Sequence, residues 1–239
     1  MKATRYLCWL SALLISAGLA QAAEVTVTGR VAFVNDHSIK RGQQSGVVVW
    51  LTPVGAPPAT AVDAGSPRPQ LVQRNKTFEP HLLVVPVGSI VEFPNRDPFF
   101  HNVFSLFEGK RFDLGLYEAG SSRDLHFDKP GISYIFCDIH AEMSAVIIAV
   151  PTTYYTVSDR KGQIVIPHVP DGRYVLHLWY EAAPPQLLSG LTREIAVSES
   201  ESTLGVFRLT TVPLPEAHKD KYGRDYDPPA PNNPAYPRP

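Results

Sequence analysis

This 239-residue sequence predicts an all-β chain made of two sandwich-like or barrel-like units. Three observations carry that expectation. Segments of five to eight residues rich in Val, Ile, Tyr and Phe recur throughout, divided by Gly, Pro, Asp and Asn turns. No stretch sustains a helical apolar period beyond one or two turns. The 217 residues that follow a removable leader are enough for two units of ~80–100 residues, each with its own core.

Residues 1–22 read as a secretory signal peptide. Lys2 and Arg5 give a basic start, Tyr6 to Leu19 form an apolar stretch, and Ala20-Gln21-Ala22 has the form of a cleavage site. The apolar stretch is short for a membrane span, and no later segment reaches ~18 uninterrupted apolar residues. The expected location is therefore the periplasm, with no membrane span in the mature chain. No twin-arginine pair is present, which favours export unfolded. The formal net charge of −1 falls to −3 when Lys2 and Arg5 leave, too little to point to nucleic acid or an anionic membrane as a partner.

The clearest strand signals are Val25 to Val34, Gly46 to Leu51, Leu82 to Val87, Ile90 to Phe93 and Ser133 to Phe136. They continue with Ala145 to Val150, Gln163 to Pro167, Tyr174 to Tyr180 and Thr192 to Val197. Phe112 to Ala119 is the best candidate for a short helix. Pro53 to Pro69 holds five prolines and reads as a linker. Thr211 to Pro239 holds eight prolines with few aliphatics and reads as an extended or disordered tail. Its tyrosines, Tyr222, Tyr226 and Tyr236, allow it to lie along a surface instead.

Cysteine usage locates the chemistry. Cys8 lies in the leader, so Cys137 is alone in the mature chain. An odd exported cysteine pairs between molecules, reacts or binds a metal, and a buried inert thiol is the bland alternative. Here it opens Cys137-Asp138-Ile139-His140-Ala141-Glu142-Met143, a C-x2-H-x2-M spacing, with His101 36 residues upstream. A thiolate, two imidazoles and a weak thioether are the donors of a one-electron copper site, because they tolerate both Cu(I) and Cu(II). The expected ligands of one copper ion are His101, Cys137, His140 and Met143. Ile132, Tyr134 and Phe136 are expected to anchor the cysteine strand in a core. His37, His81, His126, His168, His177 and His218 lack ligand-like spacing and read as surface or strand residues.

Leu71 to Val150 resembles the cupredoxins, in their amicyanin form. The resemblance is carried by Val85-Val-Pro-Val-Gly-Ser-Ile-Val-Glu-Phe93, Asn95-Arg-Asp97 and His101-Asn-Val103. Lys129-Pro-Gly-Ile-Ser-Tyr-Ile-Phe-Cys137 and the short ligand loop complete it. It implies a Greek-key β-sandwich or barrel, and an electron port at a partly exposed His140 edge. Asn102 would tie the two ligand loops together and offer its amide to the cysteine sulfur; the bland reading is a turn former. Pro98, Phe99 and Phe100 would form an apolar rim, and Asp138 and Glu142 an acidic one, facing a basic or neutral patch on a redox partner.

Thr156 to Tyr180 resembles the carboxypeptidase regulatory-like, transthyretin-type β-sandwich, through Asp159-Arg-Lys-Gly162, Ile164-Val-Ile166, Val169-Pro-Asp-Gly172 and Tyr174-Val-Leu-His-Leu-Trp179. That fold's opening strands are matched by Val25 to Phe33 and Gly46 to Leu51. Residues 24–55 plus 152–211 are therefore expected to form one discontinuous domain, with 56–69 a linker, 70–151 an inserted copper domain and 212–239 a tail. The rival reading gives the N-terminal strands to the cupredoxin sheet.

The expected function is a periplasmic, non-enzymatic carrier of single electrons to and from a redox protein such as a dehydrogenase or cytochrome. A copper-delivery protein and a docking module of a redox complex are the alternatives. Delivery sites tend to use several Met or His residues, whereas the mature chain has one Met.

Overall fold

The computed structural model describes residues 23–34, 45–55, 67–106, 109–215 and 217–226. The predicted leader, most of the Pro-rich linker and the last part of the tail lie outside the described residues.

The chain is nearly all β. Its first strands are β1 (Glu24–Phe33), β2 (Val48–Pro53), β3 (Val72–Arg74), β4 (Thr77–Glu79), β5 (Leu82–Pro86) and β6 (Ile90–Pro94). The middle holds β7 (His101–Ser105), β8 (Phe112–Tyr117), β9 (Ser122–His126), β10 (Gly131–Cys137) and β11 (His140–Val150). After β12 (Tyr155–Val157), β13 (Gln163–Pro170) and β14 (Gly172–Trp179) come the short helix α1 (Pro185–Leu191), then β15 (Arg193–Val197) and β16 (Thr203–Leu209).

One expectation is corrected. Phe112 to Ala119 is not helical: Phe112–Tyr117 is β8, hydrogen-bonded along β7. The Gly115 φ of +69° interrupts any helical path, and the segment gains more from the sheet edge than from a turn with one apolar face. The helix lies at α1 instead, where Pro185 takes the first helical position. Of the two readings of the tail, residues 217–226 follow the one that lies along a surface, held against the middle strands.

The chain-end strands pair among themselves. A three-stranded sheet has the order β13-β1-β16, and a four-stranded sheet the order β12-β2-β14-β15. Alternation in β1 sends Val27 and Val31 inward, and β13 answers with Ile164 and Ile166. Leu51, Leu176 and Phe207 complete the core between these two sheets. Cleavage within residues 57–66 should therefore leave fragment 24–56 bound to the C-terminal piece on native gels, through β1–β13, β1–β16 and β2–β14 pairing. Release of that fragment would contradict this pairing scheme.

The middle strands form a five-stranded sheet, β5-β11-β10-β7-β8, faced by β6-β9 and the β3-β4 hairpin. Phe78, Val91, Phe93, Val103, Tyr117, Phe127 and Ile135 fill the space between. Strand β11 is buried on both faces: Ala145, Ile147 and Ala149 enter this core, whereas Val146, Ile148 and Val150 enter another. That second core includes Val48 and Trp179 of the four-stranded sheet, so the two assemblies are joined by apolar packing. His81 and Glu181 add a bridge of 2.7 Å across the same junction.

Candidate metal centre

The spacing C-x2-H becomes a hairpin. Cys137 ends β10, Asp138 and Ile139 form a two-residue turn, and His140 pairs back with Cys137 as β11 begins. The next pair is Phe136 with Ser144, so Ala141, Glu142 and Met143 bulge out of register. That bulge returns Met143 to the core, where it is 1% exposed and shares a cluster with Cys137. His101 opens β7, the other neighbour of β10. Three adjacent strands thus deliver the predicted residues to one end of the sheet.

Alternation separates the anchors of the cysteine strand from the face that carries Cys137 itself. Ile132 and Tyr134 face the junction with the four-stranded sheet, whereas Ser133 and Ile135 share the buried face of Cys137.

The donor atoms converge. Cys137 Sγ lies 3.6 Å from His101 Nδ1 and 3.5 Å from His140 Nδ1, and the three atoms all fall within 4.8 Å of one another. His101 and Cys137 are fully buried, and His140 is half-buried. The structure therefore brings together three of the four predicted residues by donor atom, and Met143 by core packing. A soft sulfur with two imidazole nitrogens suits copper, and the inward turn of both Nδ1 atoms suits a single ion.

Burial pushes the Cys137 thiol up, backbone N–H groups of Asn102, Ile139 and His140 pull it down, and the Asp138 charge adds to the rise, leaving it above its ordinary value. Those three N–H groups point at the sulfur and favour the thiolate that a metal would require. The Asn102 backbone amide thus reaches the sulfur, but its side chain does not bridge to the ligand loop. It donates to Asp113 Oδ1 at 2.7 Å, within the β7–β8 pair.

Asp97, which carries part of the resemblance, has no role in the sequence reading. It is 5% exposed, and its Oδ2 accepts from His101 Nε2 at 2.7 Å. Its carboxylate also receives the N–H groups of Asn75 and Lys76 at 2.6 and 2.9 Å. Both those residues sit at positive φ, 54° and 56°, in the β3–β4 turn, which aims the two N–H groups at Asp97. Burial pushes the Asp97 carboxyl up, but these donors together outweigh it and hold the group below its ordinary range. Held by Asp97, the His101 ring has its Nδ1 left facing Cys137. The four-residue spacing to His101 was the available signal.

Burial, the adjacent His101 ring and the Lys76 charge lower His140 to about 4, against a smaller raising effect of Asp97. A base lowered on folding takes up its proton first in the unfolded chain. The metal-free protein should therefore lose stability as pH falls from about 6.5 toward 4, and keep it above that window. Imidazole resonances of the metal-free protein should titrate near 4 for His140; a midpoint above 6 would contradict this burial.

Phe99 packs against both histidines, with ring centroids 5.2 Å from His101 and 5.9 Å from His140. Phe100, Leu116 and Ile139, next to or paired with residues of the ligand strands, are 52%, 57% and 37% exposed. Of the expected acidic rim, Glu142 is exposed and Asp138 has a lysine beside it. Lys221 Nζ lies 3.5 Å from Asp138 Oδ2, and the Lys76 ammonium sits 5.7 Å from the Phe99 ring.

No protein-family profile matches the sequence, and no curated protein does. Among solved structures, a purple cupredoxin from Nitrosopumilus maritimus is similar over 34% of this chain and 99% of its own, at 22% identity and a TM-score of 0.32. A copper-containing nitrite reductase from Thermus scotoductus SA-01 matches 50% of this chain and only 28% of its own, at 22% identity and a TM-score of 0.34. An oxidized amicyanin variant matches 35% of this chain and 82% of its own, at 20% identity and a TM-score of 0.33.

Proposed function

We propose that this chain is an exported carrier of single electrons that holds one copper ion with His101, Cys137, His140 and Met143. The observation that carries the reading is the convergence of Cys137 Sγ with two imidazole Nδ1 atoms at 3.6 and 3.5 Å, on adjacent strands of one sheet. Bound there, copper supplies a Cu(I)/Cu(II) couple. The chain supplies the rest. Asp97 orients His101, three backbone N–H groups face the sulfur, and the buried sheet limits movement between oxidation states. Four protein donors leave no position for a substrate, which favours a carrier over an enzyme.

The partner, a periplasmic dehydrogenase or cytochrome, would meet the apolar surface of Phe100, Leu116 and Ile139, with the half-buried His140 as the port. Lys221 is shared between Asp113 and Asp138, which leaves the rim only a small negative charge, so docking rests on apolar contact more than on charge. The association rate should change by less than the ~10-fold or more that steered pairs show between low and high salt. A steep fall with ionic strength would restore the acidic rim.

Periplasmic placement is supported by the leader sequence; among the described residues, no helix is long and apolar enough to cross a membrane. The pairing of β1 and β2 with β12–β16 supports a discontinuous domain of 24–55 plus 152–211 carrying 70–151 as an insert. We read that domain as the transthyretin-type sandwich and as the part that docks the carrier. Optical and EPR spectra of the Cu(II)-loaded protein test the central claim. An intense thiolate charge-transfer band with narrow hyperfine splitting is expected. A colourless, ordinary tetragonal signal would favour copper delivery instead.

A further inference from the structure

The segment after β16 returns to the ligand turn and contacts nearly every residue of it. The His218 backbone N–H donates to Ala141 O at 3.0 Å, and its Nε2 lies 3.2 Å from His140 O. The Tyr226 hydroxyl donates to Cys137 O at 2.9 Å. The Lys221 backbone N–H donates to Asp138 Oδ1 at 2.9 Å. Three carbonyls of the turn and the carboxylate at its tip are thereby taken up by one ten-residue stretch.

The same lysine also joins the two ligand-bearing regions. Lys221 Nζ donates to Asp113 Oδ2 at 3.0 Å while lying 3.5 Å from Asp138 Oδ2. Asp113 uses its other oxygen to hold the side chain of Asn102, the residue after His101. A continuous path, Asn102–Asp113–Lys221–Asp138, therefore links the neighbour of His101 with the neighbour of Cys137. The tie between ligand loops that a single asparagine was expected to make is made here through the tail.

The segment is shaped to do this. Asp220 Oδ1 accepts the N–H groups of Tyr222 and Arg224 at 2.9 and 2.8 Å, closing a compact turn with Gly223 at φ +79°. The His218 ring packs 4.4 Å from the Phe136 ring and 5.4 Å from that of Tyr226. These contacts anchor a Pro-flanked stretch that has few aliphatic residues.

We infer that residues 217–226 are a clamp belonging to the metal centre, in which His218, Lys221 and Tyr226 are positioning residues that fix the turn Cys137–Ala141 and couple it to the strand of His101. The inference rests on the reading that this turn holds a metal, although the contacts belong to the metal-free chain. The physical need is plain. A two-residue turn followed by a three-residue bulge is where a hairpin opens most easily, and local opening there moves Cys137 against His140. Ligands that must keep one geometry in two charge states need support from outside their own loop.

The test uses the full chain with Tyr226→Phe, Lys221→Met or His218→Ala, and a chain ending at Pro215. In the metal-free protein, the amides of Ile139 and His140, which face the sulfur, should exchange with deuterium about 10-fold faster or more in the variants, while the amides of β1 and β13 stay unchanged. In the copper-loaded protein, release of Cu(II) to a chelator should rise by ~10–100-fold, and the EPR hyperfine splitting should shift. Unchanged exchange in every variant and in the shortened chain would overturn the clamp. So would loss of protection throughout the molecule, which would mean general stabilisation. Should the wild type bind no copper, the proposed function fails, and the exchange measurement still decides the clamp.

Discussion

Cys137→Ser should abolish the intense visible absorption of the Cu(II)-loaded protein and leave the fold standing. The sulfur lies at the meeting point of both Nδ1 atoms, and among the described residues no other side chain supplies a thiolate. Copper affinity should fall by more than the ~10–100-fold that loss of an outer partner costs. The fold should survive because the new hydroxyl meets the backbone N–H groups of Asn102, Ile139 and His140, which now face the sulfur. The destabilisation should stay near about 1–2 kcal/mol for a partnered buried hydroxyl. Thermal unfolding of the metal-free variant separates the two effects. Colour that survives the substitution would remove the cysteine from the donor set, and with it the proposed function.

Asp97→Ala should be the most damaging change that touches no proposed ligand. It leaves three donors without their acceptor: the fully buried His101 Nε2 and the N–H groups of Asn75 and Lys76. Charged acceptors are the costly ones to lose, and the metal-free protein should lose about 3–4 kcal/mol. Copper affinity should drop ~10–100-fold, because nothing then fixes which way the His101 ring points. Asp97→Asn, which keeps one acceptor oxygen, should fall between. The pH dependence has a definite sign. A carboxyl lowered on folding contributes stability above its ordinary value of 3.8 that is lost as pH falls through its lower folded value. That acid-induced loss should disappear from Asp97→Ala. Denaturant unfolding at several pH values checks both; a variant within about 1 kcal/mol of wild type would show that Asp97 only decorates the site.

Legibility followed distance along the chain. Alternation of apolar residues located most strands, since side-chain period is a local property of extended backbone. The helical reading of Phe112–Ala119 passed over such a signal: Phe112, Leu114 and Leu116 alternate with Asp113 and Gly115 at the strand period, and pairing with β7 realises it. Alternation did not say which core Ile132 and Tyr134 would enter, because a strand buried on both faces carries no mark of which face meets which partner.

By itself the sequence determined the strand-rich character and the closeness of Cys137, His140 and Met143, which fall within one turn and bulge whose spacing fixes them as neighbours. Only the tertiary structure chose between the two expected partners of β1 and β2, and it alone decided that Asp97 orients His101 and that Tyr226 reaches Cys137 from 89 positions away. The reason is physical: short spacings constrain geometry through the backbone itself. Distant segments meet only where burial and hydrogen bonding repay the entropy of closing the loop between them.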